Sequence, residues 1–312
     1  MPLDNHASEI QLDTITIRPM AMTIGAEIHG IDLTKPLKDA AVEEIWQALV
    51  DWKVVFFRDQ SMDNDAFIAM SRQFGDLTPG HHVYGGHKKW NELYWVAKDR
   101  RKTRGSGELL YLPWQGWHTD VTPAINPPKV SILRGEIVPP YGGDTMWTDL
   151  NAAYEALSPV MREFIDGLRG VHYYAPKAGI KPNKDYLDQM KDNLIITEHP
   201  LVRVHPESGK RVLYISPTFL HEIKGLSPTE STALLDLLKT HAVRPEFTVR
   251  FKWEPGSIAM WDNRSTAHMA PRDIWASDFD RDFYRTTLVG DVPVGVDGEE
   301  STAIEGKPLV AA

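Results

Sequence analysis

Apolar and polar residues alternate along this chain with two different periods. Near the start, apolar residues recur at the i, i+3, i+4, i+7 spacing, at Val42, Ile45, Trp46 and Leu49. This spacing predicts an amphipathic helix, for which Asp39 is the expected N-cap. The run KVVFF (53–57) that follows is rich in β-branched and aromatic residues and predicts a short buried strand.

Capping residues indicate further helices. Asp63 is the expected cap of a second helix through NDAFIAMSRQFG, which we expect to end at Gly75. Two helical segments separated by Ser-Pro are predicted within 151–168. The sequence SPTE (227–230) is a capping box with proline at the first helical position, and it precedes the helical pattern TESTALLDLLKTH.

Strand-like stretches occupy much of the remaining chain. The clearest are VSILRGEIV (130–138), RVLYIS (211–216), FTVRFKW (247–253), SIAMWDN (257–263) and FYRTTLVG (283–290). Strands and helices do not alternate as βαβα, so a doubly wound parallel sheet is disfavoured. The order predicts a mainly β barrel or sandwich with peripheral helices.

Two long irregular stretches interrupt this pattern, at 78–116 and 173–197, and both are rich in Gly, Pro, His, Tyr and Lys. Because loops of this length in a compact domain are usually functional or disordered, we predict that they are active-site loops. The polar segment 291–312 is expected to be loose or to reach a neighbouring subunit. We treat 1–312 as a single domain.

Composition narrows the class of protein. The 312 residues carry a formal net charge of −9, which argues against a general nucleic-acid binder because such a protein needs a basic face. There is no cysteine, which excludes disulfides, thiolate metal sites and cysteine nucleophiles. The N-terminus lacks the apolar core of a signal peptide, and no segment is apolar enough to cross a membrane, so we expect a cytoplasmic protein.

The segment WHTDVT (117–122) holds the first candidate chemistry. If it is extended, the side chains of His118 and Asp120 point to one face, either as metal ligands or as an ordinary hydrogen-bonded pair. His268 lies far downstream in WDNRSTAH, just after a predicted strand. Two histidines and one carboxylate form the facial triad that binds Fe(II) and leaves positions open for an oxygenase reaction.

Two arginines follow His268. Arg281 and Arg285 share one face of an extended segment, where two guanidinium groups would be costly to bury without anions. Arginine pairs with carboxylates in a bidentate, oriented way. The alternative interpretation is a charged surface strand with local ion pairs.

Taken together, WHTDVT, GGDTMWTD (142–149), WDNRSTAH and the arginine pair resemble the taurine dioxygenase family of Fe(II)- and 2-oxoglutarate-dependent oxygenases. The resemblance extends over most of the chain, from TIGAEIHGIDL and VVFFRDQ to TTLVGDVPV. It implies a double-stranded β-helix (jelly roll) core, a requirement for Fe(II), 2-oxoglutarate and O2, and a homo-oligomer, either a dimer or a tetramer.

The resemblance also implies roles for individual residues. It makes His118, Asp120 and His268 the iron ligands. Thr145 and Arg281 match the residues that hold 2-oxoglutarate, and Arg285 matches an arginine that faces the anionic group of the primary substrate. His81 and Tyr84 resemble substrate-contacting residues of the taurine enzymes.

Two positions depart from the taurine enzymes. Trp114 occupies the place of a small polar residue on the substrate side, and Pro123 stands where phenylalanine is usual. We therefore expect a small anionic substrate, a sulfonate or an alkyl sulfate ester, with an aryloxyalkanoate or other carboxylate as the alternative. Two other classes stay open from the residues alone: a zinc hydrolase, and a non-catalytic β-barrel binding protein.

Overall fold

The computed structural model describes residues 9–81, 85–98, 112–175 and 193–312. In this part of the chain the protein consists mainly of strands with few helices, as the sequence predicts. None of its described helices has the length and hydropathy needed to span a bilayer.

The largest sheet has eight strands in the order β1-β2-β3-β4-β14-β6-β16-β5. In chain order these are β1 (Ile10–Gln11), β2 (Thr16–Pro19), β3 (Ala26–His29), β4 (Val54–Phe57), β5 (Tyr94–Lys98), β6 (Val130–Ile137), β14 (Ile258–Asp262) and β16 (Arg281–Leu288). All neighbours are antiparallel except β3 and β4.

Three smaller sheets complete the strand content of the described chain, in the orders β13-β7-β15, β12-β8-β9-β17 and β10-β11. Their strands are β7 (Thr145–Asp149), β8 (Arg169–Tyr173), β9 (Ile196–Pro200), β10 (Val202–Val204), β11 (Arg211–Leu213), β12 (Leu220–Ile223), β13 (Thr248–Phe251), β15 (Thr266–Met269) and β17 (Thr302–Glu305). The α-helices are α1 (Asp39–Trp52), α2 (Asn64–Arg72), α3 (Leu150–Glu155), α4 (Pro159–Asp166) and α5 (Pro228–Ala242).

Strand β4 explains how the layers meet. All four of its residues are buried, because both of its faces are covered. Val55 and Phe57 belong to a core cluster shared with α1 and α2. Phe56 points the other way, where its ring stacks on Phe251 of β13 at 4.1 Å and contacts Trp147 of β7 at 5.3 Å. The eight-stranded sheet is thus packed between helices on one side and the β13-β7-β15 sheet on the other.

The helix boundaries in the structure agree with the predicted capping residues at Asp63 and differ from the prediction at two other positions. Asp63 caps α2 as predicted, by accepting a hydrogen bond from the Ala66 amide. Asp39, however, is the first helical residue of α1 rather than its cap, since the cap position belongs to Lys38, which makes no side-chain capping bond. Helix α2 also ends at Arg72, before Gly75, because its last turn tightens into i→i−3 hydrogen bonds.

Other helix predictions are confirmed. Ser158 caps α4, and α5 begins with the complete capping box of Ser227 and Glu230. Both stretches expected to be irregular contain strand residues. Strand β5 lies within 78–116 and pairs with β16, and the limits of 173–197 belong to β8 and β9, which pair with each other. The tail also differs from the expectation of a loose segment, since β17 pairs with β9 of its own chain.

Candidate active site

His118, Asp120 and His268 converge between the two packed sheets. His268 lies on β15, and its backbone exchanges two hydrogen bonds with that of His118, at 2.9 and 2.7 Å. Asp120 lies in the turn that follows. One ligand atom from each side chain is within 4.8 Å of the others, as a single metal ion requires.

Asp120 is oriented by bonds to each of its two oxygens. Oδ1 lies 3.9 Å from Nε2 of both histidines and accepts a hydrogen bond from Arg285 Nη1 at 2.6 Å. Oδ2 accepts a hydrogen bond from the Ser131 hydroxyl at 2.6 Å. Burial alone would raise the pKa of this carboxyl, but the positive charge of Arg285, aided by the hydrogen bond from Ser131, holds the pKa below its usual range. The carboxylate is therefore ionised, as a metal ligand must be.

A buried chain of hydrogen bonds supports Asp120 from behind. The Ser131 hydroxyl accepts from Asn263 Nδ2 at 2.8 Å, and Asn263 Oδ1 accepts from Trp261 Nε1 at 3.0 Å. Ser131 and Trp261 are direct partners across β6 and β14. Since Oδ2 is held by Ser131, Oδ1 is the oxygen presented to the metal position. Sequence reasoning missed both Ser131 and Asn263.

Each histidine can present one ring nitrogen to a metal. The Gly116 carbonyl can only accept, so the 3.1 Å contact with His118 Nδ1 places the proton on Nδ1 and leaves Nε2 to bind a metal. Burial, and then the nearby His118, lower the pKa of His268 well below its usual value, so this ring is neutral. Two imidazoles and one carboxylate fit Fe(II), so the donor set suits the metal that the sequence predicts.

The turn after Asp120 is strained and firmly held. Val121 has φ of +50°, which is unfavourable for a β-branched residue. The strands behind the turn bind it: His172 Nδ1 contacts the Thr122 hydroxyl at 3.0 Å, His199 Nε2 donates to the Thr122 carbonyl at 2.7 Å, and the Thr197 hydroxyl donates to the Pro123 carbonyl at 2.7 Å. Sequence analysis gave no role to these residues, because β8 and β9 are distant from the turn along the chain.

Arg281 and Thr145 form a second polar group in the same cavity. Arg281 is buried on β16, where its Nε donates to the Gly143 carbonyl at 2.9 Å and its Nη2 to the Thr145 hydroxyl at 3.4 Å. Thr145 also accepts from Trp253 Nε1 at 2.9 Å. Because both neighbours donate to Thr145, its own hydroxyl hydrogen can be donated to a carboxylate. Gly143 is needed here, since its φ is +71° and a Cβ would lie 3.1 Å from Arg281 Cδ.

A cavity of about 240 Å³ joins the triad to Arg281 and Thr145. It is also lined by His81 and Arg285, so these predicted residues are brought together. The walls are largely apolar and aromatic, formed by Tyr94, Val96, Leu133, Tyr174 and Phe219, none of which the sequence analysis singled out.

One predicted substrate residue among the described part of the chain, Trp114, is not found at the cavity. Trp114 is half-buried beside α5, with its ring 4.8 Å from Nζ of Lys239, and it does not line the cavity. The apolar ring covers a lysine whose pKa is lowered by burial to about 8. Tyr84 lies outside the described residues.

Comparison with known proteins places this geometry in a family. The sequence model described as the taurine catabolism dioxygenase TauD, TfdA family matches residues 16–287. The chain belongs to this family. The matched range, 16–287, includes all three candidate metal ligands, Thr145 and both arginines of β16.

Individual members of the family are similar over nearly the whole chain. An alpha-ketoglutarate-dependent sulfate ester dioxygenase from Pseudomonas putida is 39% identical, with 95% of each chain covered. An alkylsulfatase from Acinetobacter baylyi is 35% identical, with 99% of this chain and 94% of the relative covered. The crystal structure of a taurine dioxygenase from Burkholderia xenovorans has 54% sequence identity and a TM-score of 0.83, over 95% of this chain and 96% of that one.

Family membership and the triad together define the enzyme class. The protein is a dioxygenase, an oxidoreductase that uses Fe(II), 2-oxoglutarate (alpha-ketoglutarate) and O2. The zinc hydrolase and the non-catalytic binding protein, which the residues alone left open, are set aside by this result.

Proposed function

We propose that the enzyme oxidises an alkyl sulfate ester, with a sulfonate as the related alternative. Hydroxylation of the carbon that bears the sulfate gives a product that separates into an aldehyde and sulfate; a sulfonate would give sulfite. One oxygen atom of O2 enters the substrate, and the other enters succinate as 2-oxoglutarate loses CO2. The names of the Pseudomonas and Acinetobacter relatives support this choice.

The charge of the cavity carries the proposal. Arg285 and His81 line its substrate side, and Asp120 is the one carboxylate among the described residues that line it. An anionic head group is therefore matched by a cation, whereas the ammonium of taurine would meet no carboxylate there except the metal ligand. The aromatic and aliphatic walls suit a hydrocarbon chain.

Each polar residue then has a distinct task. His118, Asp120 and His268 would hold Fe(II), which with 2-oxoglutarate and O2 supplies the oxidising power for the C–H bond. Arg281 and Thr145 bind the far carboxylate of 2-oxoglutarate by charge-assisted hydrogen bonds. Arg285 is positioned to orient the sulfate while its Nη1 also bonds Asp120. The apolar walls exclude water.

Further assignments belong to the same proposal. The packed sheets support a double-stranded β-helix core within a single domain over 1–312, with the stretches 78–116 and 173–197 as active-site loops, since His81, Tyr94 and Tyr174 line the cavity. A homo-oligomer, dimer or tetramer, is supported by Val160 and Phe164, which are exposed four residues apart on α4. We propose a cytoplasmic location, where 2-oxoglutarate and Fe(II) are supplied. Trp114 and Tyr84 stay predictions as substrate residues.

The test is a product balance. Purified enzyme with Fe(II), 2-oxoglutarate and O2 is given alkyl sulfates, alkyl sulfonates, taurine and aryloxyacetates, and succinate, sulfate, sulfite and aldehyde are measured. We expect equal amounts of succinate, sulfate and aldehyde with an alkyl sulfate, and weak activity with taurine. Succinate coupled only to an aryloxyacetate would overturn the assigned substrate, although the enzyme class would stand.

A further inference from the structure

The C-terminal tail is firmly attached to the body of the enzyme. Strand β17 pairs with β9, and beyond it both backbone groups of Leu309 bond the Asn126 side chain: its amide donates to Oδ1 at 2.7 Å, and its carbonyl accepts from Nδ2 at 3.0 Å. The amide of Ala312 donates to the Leu77 carbonyl at 2.8 Å. This docking places the last residues beside the active site.

Leu309 packs directly behind the metal-binding turn. It contacts a small apolar cluster of Val121, Ala124 and Ile195, together with Tyr174. Val121 follows the ligand Asp120, and both Val121 and Tyr174 line the catalytic cavity. One layer of side chains therefore separates the tail from the catalytic cavity.

A second cavity of about 590 Å³ opens on the tail side of that layer. We call it the tail chamber; its described walls are 78–81, 85–86, 193–195 and 305–310, with single residues from neighbouring segments. His81 and Val121 line both the tail chamber and the catalytic cavity, so the two spaces adjoin.

The walls of the tail chamber are apolar where the tail meets the body. Pro79, Leu194, Ile195, Leu309 and Val310 contribute hydrocarbon surface. The charged wall residues Glu305 and Lys307 belong to the exposed part of the tail. A space that adjoins the cavity holding Arg285, and whose walls are largely apolar at the tail, fits an extended hydrocarbon better than a compact polar ligand.

We propose that the tail chamber receives the alkyl chain of the substrate, so that the C-terminal tail determines which chain lengths the enzyme prefers. This assignment rests on the proposed function, because it assumes that the sulfate group lies near Arg285 in the catalytic cavity. Each methylene that enters the chamber leaves water, which is worth about fourfold in kcat/KM, or about 0.8 kcal/mol.

The test compares chain-length profiles. Release of sulfate from linear alkyl sulfates, from ethyl to dodecyl, is measured for the wild type, for Val310→Trp and for Ile304→Trp. Val310 lines the chamber and is 67% exposed, so the larger side chain is accommodated without repacking a core. Ile304 is the matched control, because it is 51% exposed on β17 of the same tail but does not line the chamber.

We expect the ratio of kcat/KM for decyl sulfate to that for ethyl sulfate to fall at least about tenfold in Val310→Trp, since filling the chamber displaces two or more methylenes. The ratio should be unchanged in Ile304→Trp. An unchanged ratio in Val310→Trp, or an equal fall in both variants, overturns the chamber assignment alone. Failure of the wild type to release sulfate from any alkyl sulfate overturns the proposed function and the assignment with it.

Discussion

The metal half and the substrate half of this active site are built differently. In the metal half, Asp120, His268 and Arg281 are buried, and their partners lie on β6, β7, β15 and β16 of two packed sheets. The substrate half adds residues from connecting segments, such as His81 and Tyr174, and continues to an exposed tail. A scaffold that fixes the metal and 2-oxoglutarate on strands can change its substrate through its loops without disturbing the chemistry.

Replacement of Arg281 should have the largest effect of the changes considered, and it should affect the metal half without affecting the substrate half. In Arg281→Ala we expect the KM for 2-oxoglutarate to rise about 100-fold, because the loss of charge-assisted hydrogen bonds costs about 3 kcal/mol. Steady-state kinetics at saturating alkyl sulfate measure this effect. Arg244→Ala, which removes an exposed arginine paired with Glu246, is the control. A normal KM for 2-oxoglutarate in Arg281→Ala would mean that the cosubstrate is held elsewhere.

The buried histidines behind the metal turn predict a pH dependence of stability. Burial lowers the pKa of His199 to about 3, against 6.5 in the unfolded chain. As pH falls below 6.5 the unfolded chain takes up a proton that the folded chain does not, so the folded state loses stability down to about pH 3.

At pH 5 this loss amounts to about 2 kcal/mol relative to pH 7. His199→Gln keeps an Nε2 donor for Thr122 but cannot titrate. Between pH 7 and pH 5 the free energy of unfolding of this variant should therefore fall by about 2 kcal/mol less than that of the wild type. Urea unfolding of both proteins at pH 7 and pH 5 checks the difference. Equal losses in the two proteins would show that His199 does not stay neutral in the folded state.

Loss of the Ser131 hydroxyl should weaken metal binding while leaving the substrate half intact. In Ser131→Ala, Asp120 Oδ2 loses its partner, and we expect metal affinity to fall at least about tenfold, as is usual for groups that orient metal ligands. Anaerobic titration with Fe(II), and with Mn(II) in parallel, measures the effect directly. Ser231→Ala removes another buried serine hydroxyl, far from the triad, and should bind metal normally. Equal affinities in both variants would leave Ser131 with a purely structural role.

The smallest expected effect concerns the N-cap of helix α5, which is part of neither half of the active site. Ser227→Ala removes the N-cap of α5 and should lower the free energy of unfolding by about 1 kcal/mol. Thermal unfolding measures this change, and kcat and both KM values should stay at wild-type levels. A change in either KM would show that α5 is coupled to the site.

Sequence-based prediction was accurate for the residues that face the metal and the anions, and less accurate for the residues that support or surround them. His118, Asp120 and His268 could be predicted as a group because their motifs resemble those of a known family, and Arg281 with Arg285 because alternation along a strand places both on one face. Ser131 and His199 could not, because an isolated serine or histidine has many possible partners and only the packing of β6 and β9 brings them to the turn. Tyr94 was hidden inside a stretch that sequence reasoning treated as loop, although it pairs opposite Arg285. The tail was expected to be loose or to reach a neighbouring subunit, because its polar sequence gives no sign of the strand pairing with β9 or of the bonds to the distant Asn126 side chain.

The most direct test of the account is the anaerobic addition of Fe(II) and 2-oxoglutarate to the purified protein, followed by visible absorption. Chelation of Fe(II) by 2-oxoglutarate gives a weak charge-transfer band, so the wild type should show it. The band should be absent in His268→Ala and should need more 2-oxoglutarate in Arg281→Ala. A folded wild-type protein that shows no band would contradict the assignment of this triad as an iron site.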